Sequence, residues 1–272
     1  MYTMEGSVLF AFGLTLFAGL STGIGSAMAF FTKSTNTRFL STALGFSAGV
    51  MIYVSFTEIL GKSIQLLRES YGMTAGSWYA VLSFFGGILV IAIIDSMVPT
   101  FENPHEIRRV EDIRLHGQKN QKSSLLRMGL FMAMAIAMHN VPEGLATFAA
   151  GMADPTIAIP IAVAIAIHNI PEGIAVSVPV YYATGKKRKA FFLSFASGLA
   201  EPIGGILGWL FLSAVFNESI IGVLFGGVAG IMVFISVDEL LPTAREYGHH
   251  HHAIYGLVAG MAIMAVSLLL FI

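Results

Sequence analysis

The chain contains no cysteine, so it forms no disulfide and offers no thiolate to a metal. Charge is scarce as well: Asp, Glu, Lys and Arg make up 11% of its 272 residues, whereas a soluble domain carries about 25%. Neither sign is in excess, with 15 Lys and Arg against 16 Asp and Glu. No basic face is available for nucleic acid, which excludes it as a partner. The phosphate-cradling GxxxxGK[ST] loop is missing, so ATP does not drive the protein directly. H-E-x-x-H, the mark of a helical zinc protease, is missing too, and the chain is not read as an enzyme. What remains is apolar: 56% of the residues are hydrophobic and the mean hydropathy is +0.77.

The apolar residues come in long runs. A membrane-crossing helix needs about 20 of them, and eight such stretches are legible, at about 7–31, 39–60, 77–98, 126–150, 156–182, 190–213, 220–241 and 253–272. The first follows Met1–Ser7, which holds Glu5 and no Lys or Arg, unlike a cleavable leader with its basic start. It is read as a retained span whose N-terminus lies outside. Connections are short except 99–125, a polar, mixed-charge stretch expected to be a cytoplasmic loop or a surface helix. Of the 15 Lys and Arg, all but Lys62 and Arg68 then fall on one face of the membrane. That asymmetry places this face in the cytoplasm and both termini outside. Residues 1–272 are read as one all-α integral membrane domain, in contact with lipid on its outer faces.

Internal repeats organise the spans. Residues 45–60, GFSAGVMIYVSFTEIL, align without gaps to 226–241, GGVAGIMVFISVDELL, on spans that run in opposite directions. Residues 19–25, GLSTGIG, weakly mirror 198–204, GLAEPIG, which pairs Thr22 with Glu201. The expected architecture is 3+2+3: spans 1–3 and 6–8 as inverted repeats around spans 4–5. Inverted repeats with a site near the midplane are a transporter signature.

Spans 4 and 5 each carry one copy of a polar motif. Residues 139–146 read HNVPEGLA and residues 168–175 read HNIPEGIA. Ionisable groups inside apolar spans are costly and usually functional. In each copy the His and Glu are four apart and share one helix face. Together, His139, Glu143, His168 and Glu172 offer two imidazoles and two carboxylates, a set suited to Zn²⁺, Fe²⁺ or Mn²⁺. Pro142 and Pro171 cannot donate a backbone hydrogen bond and free the carbonyls of Met138 and Ile167. Asn140 and Asn169 add amide oxygens, either for a second ion or to orient the carboxylates. Glu201 lies about midway along span 6 and is expected to face the same cavity. The ligand count accommodates two ions bridged by Glu143 and Glu172, or one ion with outer partners. Glu58 and Glu239, with Asp238 beside the latter and Ser55 and Ser236 one turn deeper, are candidates for the two ends of a cation path. Asp95, near the inner end of span 3, is read as meeting water rather than metal.

These residues resemble the ZIP family of divalent metal transporters, especially its bacterial branch. The two HNxPEG motifs, GLAE at 198–201 and SVDEL at 236–240 carry the likeness, which covers nearly the whole chain. The resemblance implies a homodimer in the cell (inner) membrane that takes zinc, and also iron, manganese, cobalt or cadmium, into the cytoplasm. It implies that His139, Glu143, His168 and Glu172 form one metal position. Asn140, Asn169 and Glu201, sharing Glu143 and Glu172, would form a second. Family members often carry a histidine-rich loop between spans 3 and 4. This chain has only His105 and His116 there, and its run His249–His252 falls between spans 7 and 8.

Overall fold

The computed structural model describes residues 4–28, 37–97, 117–212, 217–246 and 250–269. These residues are almost entirely helical, and no strand occurs among them. Helix α1 is Met4–Met28, α2 Thr37–Val54, α3 Leu60–Tyr71, α4 Met73–Met97, α5 Gly117–Ala153 and α6 Pro155–Thr184. The second part holds α7 Lys187–Gly198, α8 Ala200–Leu212, α9 Glu218–Ile235, α10 Leu241–Glu246 and α11 His250–Leu269. The described part of each of the eight apolar stretches lies in one long helical run. Seven of these runs are long and apolar enough to cross a membrane among the described residues. The eighth is α5, which begins at Gly117, inside the stretch read as a connection. Most of that stretch, with His105 and His116, lies outside the described residues, as does His249.

Two runs depart from plain apolar helices, the second by its length and the sixth by a break. The second continues past residue 60 to Tyr71 because α3 is amphipathic: Ser63, Leu66 and Leu67 are buried, while Lys62, Gln65, Arg68 and Glu69 carry its polar side. Gly72, at φ 83°, ends it. This left-handed backbone favours glycine. At the sixth run the helix breaks at Leu199, between α7 and α8. Pro202 has no N–H to return to the Gly198 carbonyl, which lies against Gly19 of α1. By contrast, α5 and α6 run on as continuous helices through Pro142 and Pro171.

Helices α5 and α6 lie against each other at the centre, with α1 on α6 and α8 on α5. Helix α2 packs on α11, while α9 packs on α4, so the first and last thirds of the chain interlock. Large apolar side chains that remain exposed, including Trp78, Leu82, Phe85, Leu89 and Ile93, form an outward face of α4. So broad an apolar surface is suited to lipid rather than water.

Small residues set the helix spacing. A side chain at Gly144 would strike the backbone of Glu201, and one at Gly173 the backbone of Thr22. These are matched contacts, since Gly144 mirrors Gly173 and Glu201 mirrors Thr22 in the sequence repeats. Gly25 against Ile170 and Gly204 against Val141 match in the same way, and the repeat mates Gly49 and Gly230 meet the backbones of Leu257 and Phe84. Close approach of this kind is the main source of helix adhesion in lipid, where burial supplies no hydrophobic gain.

Candidate metal site

His139, Asn140 and Glu143 on α5, His168, Asn169 and Glu172 on α6, and Glu201 on α8 are all fully buried. The proline in each motif follows the histidine by three residues, so helix continuity keeps His and Glu on one face while both faces turn to the shared α5–α6 seam. Across that seam the pairs are crossed. His139 Nε2 lies 3.2 Å from Glu172 Oε2, and His168 Nε2 lies 3.4 Å from Glu143 Oε2. The four-residue spacing places a His and a Glu on one helix, yet each imidazole meets the carboxylate of the other helix.

The two asparagines anchor outward. Asn140 Nδ2 donates to the Ser197 carbonyl at 3.1 Å, and Asn169 Nδ2 to the Ala18 carbonyl at 3.0 Å. Ser197 and Ala18 are themselves repeat mates. Asn169 differs in also lying 2.8 Å from Glu201 Oε2. The repeat mate of Glu201, Thr22, is fully buried but offers only a hydroxyl. The site is therefore nearly two-fold in its scaffold and asymmetric in its ligands.

Its chemistry follows from what is unsatisfied. Asn140 Oδ1, Asn169 Oδ1, Glu143 Oε1 and Glu201 Oε1 are buried and find no hydrogen-bond partner among the described residues. The Nδ1 atoms of His139 and His168 share that condition. A buried polar atom left unpaired costs about 1–3 kcal/mol. Four of these six atoms are oxygens, two of amides and two of carboxyls, which accept when the carboxyls are ionised, so a bound cation relieves them and another acceptor does not. No three His, Asp or Glu side chains among the described residues are already arranged as a metal cage. The imidazoles are instead engaged by the crossed carboxylates.

The expected path residues fall on two matched irregularities. At Ser55–Ile59 and at Ser236–Leu240 the helix widens into a single π turn. The amide of Leu60 bonds the Ser55 carbonyl, and the amide of Leu241 bonds that of Ser236. The Ser55 hydroxyl donates to the Met51 carbonyl at 2.6 Å, and that of Ser236 to the Met232 carbonyl at 2.7 Å. Single π turns inside α-helices are common at functional sites. Glu58 is half-buried, Asp238 likewise, and Glu239 is buried. A narrow cleft joins Glu239 to His139 between apolar walls that include Ile91, Ile94 and Ile235, and it brings in Asp95. Sequence reasoning set Asp95 aside as an end-of-span carboxylate that meets water. Ser47, whose hydroxyl lies 3.4 Å from Glu172 Oε1, also went unnoticed. The signal for Ser47 was a lone hydroxyl inside the apolar part of α2, a weak one.

A bundle of long apolar helices around a buried, acceptor-rich centre defines a multi-pass membrane protein. The chain belongs to the ZIP family, in its ZupT-type branch. The family model for the ZIP Zinc transporter matches residues 102–268. The Zinc transporter ZupT of Streptococcus mutans is 62% identical over 262 residues, covering 96% of this chain and 97% of the relative. That of Clostridium perfringens is 58% identical over 277 residues, covering 98% and 97%. That of Lysinibacillus sphaericus is 56% identical over 269 residues, covering 99% and 100%.

Proposed function

We propose that this protein is a secondary carrier that takes divalent transition-metal ions, zinc first among them, across the membrane into the cytoplasm. The observation that carries the reading is the surplus of buried acceptors around the crossed His–Glu pairs. The zinc transporters to which the chain is similar over nearly its full length support the choice of cargo. His139, Glu143, His168 and Glu172 are the principal ligands. Asn140, Asn169 and Glu201 complete a second position that shares the two motif carboxylates. Ligation replaces the crossed contacts, since an imidazole nitrogen engaged by a carboxylate must turn to the metal. Iron, manganese, cobalt and cadmium suit the same nitrogen and oxygen donors, so geometry and supply decide among them.

The matched glycine contacts and matched π turns support a 3+2+3 plan of inverted repeats. In that plan α5 and α6 form the middle pair, both termini lie outside, and 99–125 lies in the cytoplasm. The cleft from His139 past Asp95 and Glu239 then opens inward, and Glu58 with Ser55 marks the outer approach. The family resemblance supports the bacterial inner membrane and a homodimer.

Metal uptake into proteoliposomes tests this, with metal content of each purified protein measured alongside. Saturable Zn²⁺ uptake that collapses in His139→Ala and Glu143→Ala, together with loss of bound metal, is the expected result. Glu201→Ala is expected to retain one ion of two. Full uptake and full metal content in the first two variants would refute the site.

A further inference from the structure

Ser47 is a fully buried hydroxyl on α2, in the apolar setting of Phe46, Ala48, Gly49 and Val50. Its Oγ lies 3.4 Å from Glu172 Oε1 and 3.4 Å from the His168 carbonyl. Both acceptors belong to the second copy of the motif. Both distances are long for an O–H···O bond, so the hydroxyl stands between two acceptors and closes on one of them. It has one proton to give. The His168 carbonyl lies within α6, where the amide of Glu172 is its helical partner. An ionised carboxylate is the stronger acceptor, by about a factor of two over a neutral one. The proton therefore goes to Glu172 Oε1, while Oε2 of the same carboxylate faces His139.

Glu143 is the repeat mate of Glu172 and lacks this arrangement. Its two oxygens both lie 3.4 Å from His168 Nε2, and neither takes a hydroxyl donor among the described residues. The position that matches Ser47 in the second half of the chain is Val228, which has no hydroxyl. The duplicated carboxylates thus differ by one hydroxyl group.

We propose that Ser47 is a positioning residue that holds Glu172 to ligation through Oε2 alone, leaving Glu143 as the carboxylate that turns and ligates with either or both oxygens. This rests on the metal-site reading above. It gives the two copies of one motif different tasks: Glu172 is a fixed ligand, and Glu143 follows the ion.

The test is Zn²⁺ binding to the purified full chain, paired with Zn²⁺ uptake in proteoliposomes. The variants are Ser47→Ala, Glu172→Gln, Glu143→Gln, and Ser47→Ala combined with each glutamine. Loss of a group that orients a metal ligand costs about 10–100-fold. Ser47→Ala is expected to weaken Zn²⁺ binding about tenfold and to raise the uptake KM equally, with Vmax within about twofold. In the Glu172→Gln background it adds less than about twofold, and in the Glu143→Gln background it keeps its about tenfold effect. Equal effects in the two backgrounds, or a fall in Vmax with binding unchanged, would overturn the proposal, because a mere packing residue acts whichever carboxylate is present. Should Ser47→Ala not fold, Ser47→Cys, of similar size but a weak donor, carries the same cycle. Wild-type binding and uptake in Glu172→Gln would remove the metal-site reading and this proposal with it. Impairment in Glu172→Gln with wild-type behaviour in Ser47→Ala would remove the positioning role alone.

Discussion

His139 on α5 is bonded to Glu172 on α6, 3.2 Å away, and not to Glu143 one turn along its own helix. Both side chains are fully buried. Removing one member of a buried, hydrogen-bonded pair leaves the other unsatisfied, at about 1–3 kcal/mol and more where that group is ionised. His139→Ala is therefore expected to destabilise the metal-free protein strongly. Adding Glu172→Gln should recover part of that loss, because the stranded carboxylate goes too. Adding Glu143→Gln should not, since it strands His168 as well. Thermal unfolding in detergent with a chelator present reads the three values. Recovery with Glu143→Gln and none with Glu172→Gln would show that the pairs run along the helices and not across the seam.

The sequence made the doubled motif and the eight apolar runs plain, because each is a local pattern with a clear spacing. The crossing of the pairs was not legible. A four-residue spacing says which residues share a face, whereas the partner of that face depends on how α5 is rotated against α6. The π turns at Ser55 and Ser236 left no local mark either, although the alignment of 45–60 with 226–241 had already picked out the residues inside them. Asp95 reaches the cleft beside His139 only through the packing of α4 on α9, and no spacing along the chain encodes that.

The matched glycines yield a second prediction. A methyl at Gly144 or Gly173 would overlap the backbone of Glu201 or Thr22, and backbone cannot step aside as a flexible side chain can. Gly144→Ala and Gly173→Ala should each cost at least about 1–3 kcal/mol, the usual range for overpacking, and should push α8 or α1 away from the site. Gly86 lies on α4 with nothing near its added methyl, so Gly86→Ala should be neutral or gain up to about 1 kcal/mol of helix propensity. Equal melting temperatures for Gly144→Ala and Gly86→Ala would contradict the close approach of α5 to α8.

A third concerns the start of α6. Asp154 caps it, with Oδ1 accepting from the Thr156 amide at 2.9 Å and from the Thr156 hydroxyl at 2.8 Å. The Thr156 amide, then its hydroxyl, holds the Asp154 carboxyl below its ordinary value. A carboxyl whose folded value is depressed adds stability that is fully present above its unfolded pKa. That stability is lost as pH falls through the folded value. Asp154→Ala should cost about 1 kcal/mol at neutral pH. Asp154→Asn should keep most of the cap and flatten the acid limb. Unfolding of the three proteins between neutral and strongly acidic pH checks it, and an unchanged acid limb in Asp154→Asn would assign that limb to other carboxylates.

The last prediction concerns release. The cleft that begins at His139 passes Asp95 and Glu239 and is otherwise walled by apolar side chains. On the proposed transport reading, an ion leaving the central site along it moves from imidazole to carboxylates, with no other charged stop among the lining residues. Glu239 also lies in a π turn, where an extra residue per turn shifts its side chain relative to a regular helix. Neutralising either carboxylate should leave the central ligands in place. Glu239→Gln and Asp95→Asn are therefore expected to bind Zn²⁺ within about threefold of the wild type while slowing uptake about tenfold, which is about 1.4 kcal/mol on the barrier to release. The matched substitution at the other end, Glu58→Gln, should instead raise the KM for external Zn²⁺, because it weakens capture before the ion reaches His139. Binding measured at equilibrium and initial rates of uptake separate the two. If Glu239→Gln lowers affinity and Vmax together by the same factor, Glu239 belongs to the central site and the cleft is not its exit.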